Sequence, residues 1–154
     1  MPRDEDERIY RKHAEELTRF ATFLVGPDEA PDVVSSAVLR TLSSPGWSRV
    51  EHHRAYLFRA VLNEARMHHR STARRHAREQ RSARPEGVEE IDTLSDVLDM
   101  VGQLSPRQRA VLYLAYWDDL GPASIADVLG VSEGSVRRHL ARGRAALRRM
   151  LDDR

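Results

Sequence analysis

Cysteine is absent from the 154 residues, which excludes a disulfide framework and any thiolate metal site. No apolar run approaches the roughly 18 residues that a membrane span needs. The opening residues, Met1 to Arg8, are charged and hold no apolar stretch of the signal-peptide kind. Together these absences predict a soluble, cytoplasmic chain with no membrane insertion. Lysine is almost missing as well, Lys12 being the only one, so the positive charge is carried by arginine, the residue that forks onto phosphates and base edges. No segment alternates as a half-buried strand does, and no internal repeat is visible.

What the chain does have is charge. Charged residues make up 32% and hydrophobic residues 40%, a balance that suits small helical units with a large wet surface better than one big core. The length allows one ordinary domain or two small ones. The net charge of +1 hides a segregated distribution. Arg66, Arg70, Arg74, Arg75, Arg78, Arg81 and Arg84 form one group, opposed only by Glu79, and Arg137, Arg138, Arg142, Arg144, Arg148 and Arg149 form another. Phosphate binding depends on such local density rather than on the sum.

Apolar residues at spacings of three and four, Ile9 through Leu24, predict a first helix from about Asp6 to Val25, stopped by Gly26-Pro27. Asp28 is positioned to cap a second helix with Pro31 in its first turn, and Val33, Val34, Ala37, Val38 and Leu42 continue a buried face. Ser43 to Gly46 breaks the chain, Trp47 to His53 reads as a loop, and the helical period resumes at about Arg54. Glu79 to Thr93 has no periodicity and contains Pro85-Glu86-Gly87, so it reads as a linker. A short amphipathic helix through Leu94, Val97, Leu98, Val101 and Leu104 follows. Ser105-Pro106-Arg107-Gln108 then supplies a cap, a proline at the first position and the partner of a capping box. The prediction is an all-α fold of two small helical domains, 1–78 and 94–154, joined by the linker 79–93.

The C-terminal domain carries the most specific pattern. Pro122 opens a short helix that buries Ile125, Ala126 and Leu129, Gly130 provides a tight turn, and Val131 plugs the corner. Ser132 caps a second helix whose inner face is Val136, Leu140 and Leu147. This is a helix-turn-helix. Its spacing leaves Glu133, Ser135, Arg137, Arg138 and Arg142 on or near the outer face, where the second helix of such motifs enters the major groove. Arg137 and Arg138 suit a guanine or phosphates, and Arg142 and Arg144 suit phosphates.

From Leu104-Ser-Pro-Arg-Gln-Arg-Ala-Val-Leu112 through the helix-turn-helix to Arg142-Gly-Arg-Ala-Ala-Leu147, the chain resembles region 4 of extracytoplasmic function sigma factors. Tyr10-Arg-Lys-His13, Phe20 to Gly26, Asp32-Val-Val34 with Leu39-Arg40, and Ala55-Tyr-Leu-Phe-Arg59 with Asn63 resemble their region 2. The likeness covers nearly the whole chain in the family's order. It implies two partners, core RNA polymerase and promoter DNA, with an anti-sigma protein as a third that could sequester the chain. By this resemblance the second helix docks on polymerase through Asp32, Ser35, Ser36, Leu39 and Arg40. The minus-ten element falls to Arg49, His52, His53, Tyr56, Arg59, Asn63, Arg66 and Arg70, and the minus-thirty-five element to Ser132, Glu133, Ser135, Arg137, Arg138, Arg142 and Arg144. The chain departs from the family pattern at Ser35-Ser36, where an acidic or amide pair is usual, and at Tyr56, Met67, Ala123 and Ser124.

Two other readings compete. An autonomous regulator with an N-terminal sensing or dimerisation domain explains Ser105 to Arg149 equally well, but not the second basic surface between Trp47 and Arg84. A metal-dependent hydrolase would have to use His52, His53, His68 and His69. Adjacent histidines on a helix point about 100° apart, so neither pair chelates one ion well. No metal, no cofactor and no catalytic residue is therefore expected.

Overall fold

The structure, a computed structural model, describes residues 2–79 and 103–153. Among them are six α-helices, one 3₁₀ turn and no strand: α1 (Pro2–Val25), α2 (Ala30–Ser43), the turn Trp47–Arg49, α3 (His53–Glu79), α4 (Pro106–Tyr116), α5 (Pro122–Leu129) and α6 (Glu133–Asp152). The expected linker after Glu79 and the short helix through Leu94 to Val101 lie outside the described residues. Of that stretch, Leu104 is described and is buried.

Helix α1 begins four residues before the expected start at Asp6, with Asp4 and Glu5 in the first turn, where carboxylates are favoured by the helix dipole. Its buried stripe of Leu17, Phe20, Ala21 and Leu24 packs on α2 through Val33, Val34, Ala37 and Val38, and on α3 through Leu57, Phe58, Val61, Leu62 and Ala65. The expected Asp28 cap is not used. Glu29 occupies the cap position in a helical conformation, without a side-chain hydrogen bond. The turn after Gly26 supplies backbone acceptors instead, Gly26 O for Ala30 N at 3.2 Å and Glu29 O for Val33 N at 3.1 Å, so no side-chain acceptor is required there. Trp47, expected in an open loop, is buried: its Nε1 donates to Asp6 at 2.7 Å, and His53 and Tyr56 pack against its ring.

Helix α4 starts as its sequence dictates. Ser105 Oγ accepts from Gln108 N at 3.2 Å, and the Gln108 side chain accepts from Ser105 N at 3.0 Å. Val111, Leu112 and Leu114 are buried, whereas Tyr116 and Trp117 stand 65% and 63% exposed at the helix end. At Gly130 the backbone takes φ +68°, a conformation that side chains with a Cβ resist. Helix α6 then crosses α4 at Gly143, where a Cβ would lie 3.0 Å from Leu112. The small residue sets that crossing distance.

The two groups of helices meet. Phe20 of α1, Phe58 of α3 and Tyr113 of α4 form one aromatic cluster, with ring centroids 4.6 Å apart for Phe20–Phe58 and 5.2 Å for Phe20–Tyr113. Such pairs contribute roughly 0.5–1.5 kcal/mol beyond the apolar area they bury. Burial among these rings pushes the Tyr113 hydroxyl up to about 12.

Candidate nucleic-acid and polymerase interfaces

Helix α6 is built to present one face. Val136 and Leu140 are buried against α4 and α5, and Ser132 Oγ accepts from Ser135 N at 3.1 Å, which fixes the helix start. Opposite that buried stripe, Glu133, Arg137, Arg138 and Arg142 are exposed, with Ser135 half-buried. Arg137 donates to Glu133 at 2.7 Å, one turn away. In solvent such an i, i+4 pair is weak, so it orients Arg137 without locking it away from a nucleic acid. Arg144 behaves differently. Its Nε donates to Tyr116 Oη at 2.6 Å and its guanidinium lies over that ring, 5.4 Å from the centroid. His139 is half-buried on the same helix, its Nδ1 buried without a hydrogen-bond partner. Burial, reinforced by Arg107, Arg138 and Arg142, lowers its pKa.

The polymerase-binding set from the sequence falls on one outward face of α2. Asp32, Ser35, Ser36, Leu39 and Arg40 are all exposed, Leu39 at 67%. An exposed leucine among small polar residues is a contact surface of the kind another protein can cover. Arg40 is tethered at its base to Glu64 of α3 at 3.0 Å.

The minus-ten set divides. Arg49, His52, Asn63 and Arg70 are exposed. Tyr56, Arg59 and Asn63 line a groove of about 370 Å³ between α2 and α3, together with Arg40, Glu64 and Met67. His53 and Tyr56 instead lean on Trp47, so their rings are half-buried. Arg66 is half-buried, and its pKa is lowered by burial and by the neighbouring cations Arg107 and Arg70. Arg59 crosses to the other group of helices: its Nε donates to Val128 O at 2.9 Å and its Nη2 to Asp127 O at 2.6 Å. The sequence assigned Arg59 to the minus-ten element and offered no sign of these carbonyl partners.

Three arginines tie the two groups together, and two of them carried no functional expectation. Arg54 donates from Nε to Glu16 Oε1 at 3.0 Å and from Nη2 to Asp118 Oδ2 at 2.6 Å. These carboxylates raise its already high pKa, with the Glu16 hydrogen bond the main cause. Arg109, only 7% exposed, donates to Leu104 O at 3.0 Å and to Leu24 O.

Among the described residues, no helix is long and apolar enough to cross a membrane. An all-α chain with an exposed arginine face on a helix-turn-helix, and a second basic helix beside it, defines a DNA-binding protein of transcription. Comparison with known proteins narrows this. Residues 94–147 match the family model for Sigma-70, region 4. The ECF RNA polymerase sigma factor SigL of Mycobacterium tuberculosis is 32% identical over 155 residues, covering 94% of this chain and 88% of SigL. The RNA polymerase sigma-E factor of Streptomyces coelicolor is 29% identical over 154 residues, covering 96% and 86%. Two solved structures share the fold. The sigma factor RpoE, in complex with the anti-sigma factor NepR from Bartonella quintana, superposes with a TM-score of 0.65 at 22% identity over 95% of this chain and 96% of RpoE. CnrH, in complex with the cytosolic domain of CnrY, gives 0.66 at 24% identity over 98% and 90%. The chain belongs to the extracytoplasmic function family of RNA polymerase sigma factors. Its role is accordingly transcription initiation with RNA polymerase, not independent regulation from a stand-alone helix-turn-helix.

Proposed function

We propose that this sigma factor divides promoter recognition between its two halves. Residues 1–78 dock on core polymerase through the outward face of α2 and engage the minus-ten element through the groove beside Tyr56, Arg59 and Asn63. Residues 94–154 read the minus-thirty-five duplex with the exposed face of α6. The observation that carries this division is the two-sided character of α6. Its buried side is fixed by Val136, Leu140 and the Ser132 cap, while Arg137, Arg138 and Arg142 remain exposed on the other side. Arginine in the major groove forks onto guanine, and on the flanks it neutralises phosphate. On the first half, the exposed Arg49 and Arg70 supply phosphate contacts, and Asn63 can read the edge of an unstacked base.

The chain works in the cytoplasm, performs no catalysis and needs no cofactor of its own. An anti-sigma protein that covers both halves is a fitting antagonist, because the proposed polymerase surface lies on the first half and a promoter-reading surface on each. The test is promoter selectivity. Arg137→Ala combined with Arg138→Ala should leave the helix content unchanged and weaken binding at the minus-thirty-five element, at about 1–3 kcal/mol for a lost base-reading fork. Transcription from variant promoters, measured with reconstituted polymerase, should then lose its dependence on that element. Unchanged selectivity would place the recognition surface elsewhere.

A further inference from the structure

The arginines of this chain divide by what stands opposite them. Arg11, Arg19, Arg40, Arg54 and Arg137 each face a carboxylate, in Glu7, Glu15, Glu64, Glu16 and Glu133 respectively. Arg66 and Arg70 of α3, Arg107 of α4, and Arg138 and Arg142 of α6 form no ion pair among the described residues. They face one another instead. The charged groups that bear on Arg66 are Arg107 and Arg70, and those that bear on His139 are Arg107, Arg138 and Arg142, all of them cations. Helix α4 packs on both α3 and α6. Arg107, exposed in its first turn, therefore joins the two basic groups, although the sequence gave it no part beyond the helix start.

Holding these cations together costs the isolated chain stability. Like charges repel, and the first turn of a helix, where Arg107 stands, disfavours a cation through its dipole. Burial adds to the cost at Arg66, which is half-buried. A surface of positive potential with no counter-charge of its own draws anions from outside, and one spread over three helices fits a polyanion better than a single small ion. Along α3 it continues into a cleft lined by Arg70, Arg74 and Arg75. At its other end it runs onto the exposed face of α6. We propose that this surface is one track for the phosphate backbone of duplex DNA, with Arg107 as its central contact, by which the chain free of polymerase binds DNA without regard to sequence. Duplex is the fitting polyanion because the track ends on the face of α6 assigned above to a duplex, and in this the inference rests on the proposed function. Contacts from arginine to phosphate release counterions and carry no sequence information, so they let a protein slide and hop along DNA.

The test uses the full-length chain without polymerase. Titrated against a labelled duplex that lacks promoter elements, it should bind at low salt and release the duplex steeply as salt is raised, as fluorescence anisotropy reports. Arg107→Gln should keep the helix content, weaken this binding several-fold, and lower the slope of log K against log salt by about 0.9, the loss of one phosphate contact. Arg107→Lys, which keeps a point charge, should hold the slope. Arg11→Gln removes one equal charge, that paired with Glu7 on α1, and should leave the slope unmoved. Absence of binding at low salt, or a slope that Arg107→Gln and Arg11→Gln change alike, overturns the track. Displacement of the duplex by polyglutamate or single-stranded RNA at lower concentration than by unlabelled duplex gives the surface to another partner and overturns the assignment to DNA. Failure here is distinct from failure of the promoter reading, which is decided with polymerase by the selectivity of the Arg137→Ala, Arg138→Ala pair.

Discussion

His139 of α6 shows how a half-buried imidazole with one buried nitrogen sets a condition on the fold. Its Nδ1 is buried and unpartnered, and its pKa is lowered from 6.5 by burial first and then by Arg107 from α4 and by Arg138 and Arg142 on its own helix. His13 and His69 are lowered too, burial again being the main cause, although Glu16 opposes it at His13. A histidine held below its unfolded value leaves stability intact above 6.5. Below that value the unfolded chain takes up the proton more readily, so stability is lost as pH falls towards the folded pKa. The melting temperature should therefore be level above about pH 7 and decline as pH falls below 6.5. His139→Gln should make the decline shallower. A melting temperature that rises on acidification would contradict a lowered pKa at this half-buried imidazole.

At the scale of the element, α4 to α6 were legible because their instructions are local. The Ser105–Gln108 box, the Ser132 cap and the glycine at φ +68° each act within a few residues. Removing the first, with Ser105→Ala, should cost about 1 kcal/mol, seen as a lower midpoint in urea with an unchanged slope. An unshifted midpoint would mean that burial of Pro106 and Leu104 alone holds the start of α4. Where the sequence misled, the cause was also local. Asp28 reads as a cap only if the chain enters α2 extended, but Gly26 at φ +87° winds the backbone so that its own carbonyls serve. Trp47 looked exposed because its neighbours are polar. Its partner Asp6 is 41 positions away, in a turn of α1 with no apolar period to reveal it.

At the scale of the whole molecule, the outward faces of α2 and α6 follow directly from helical periodicity, since a buried stripe defines its opposite. The seam between the halves does not. Arg54, Arg59 and Arg109 find partners 64, 68 and 85 positions away, and nothing about an arginine in a basic chain marks it for a carbonyl rather than a phosphate. The aromatic cluster of Phe20, Phe58 and Tyr113 likewise joins three helices, and no single helix's periodicity says which rings of the others it will meet. What unites these surfaces is a single act, the joining of this chain to polymerase. The most direct test is to titrate the purified protein against core RNA polymerase free of any sigma factor, following fluorescence anisotropy and gel filtration. Saturable one-to-one binding in the submicromolar range, weakened when Leu39→Asp places a charge on the outward face of α2, is the predicted result. A folded chain that ignores core polymerase yet shifts promoter duplex by itself would contradict the account.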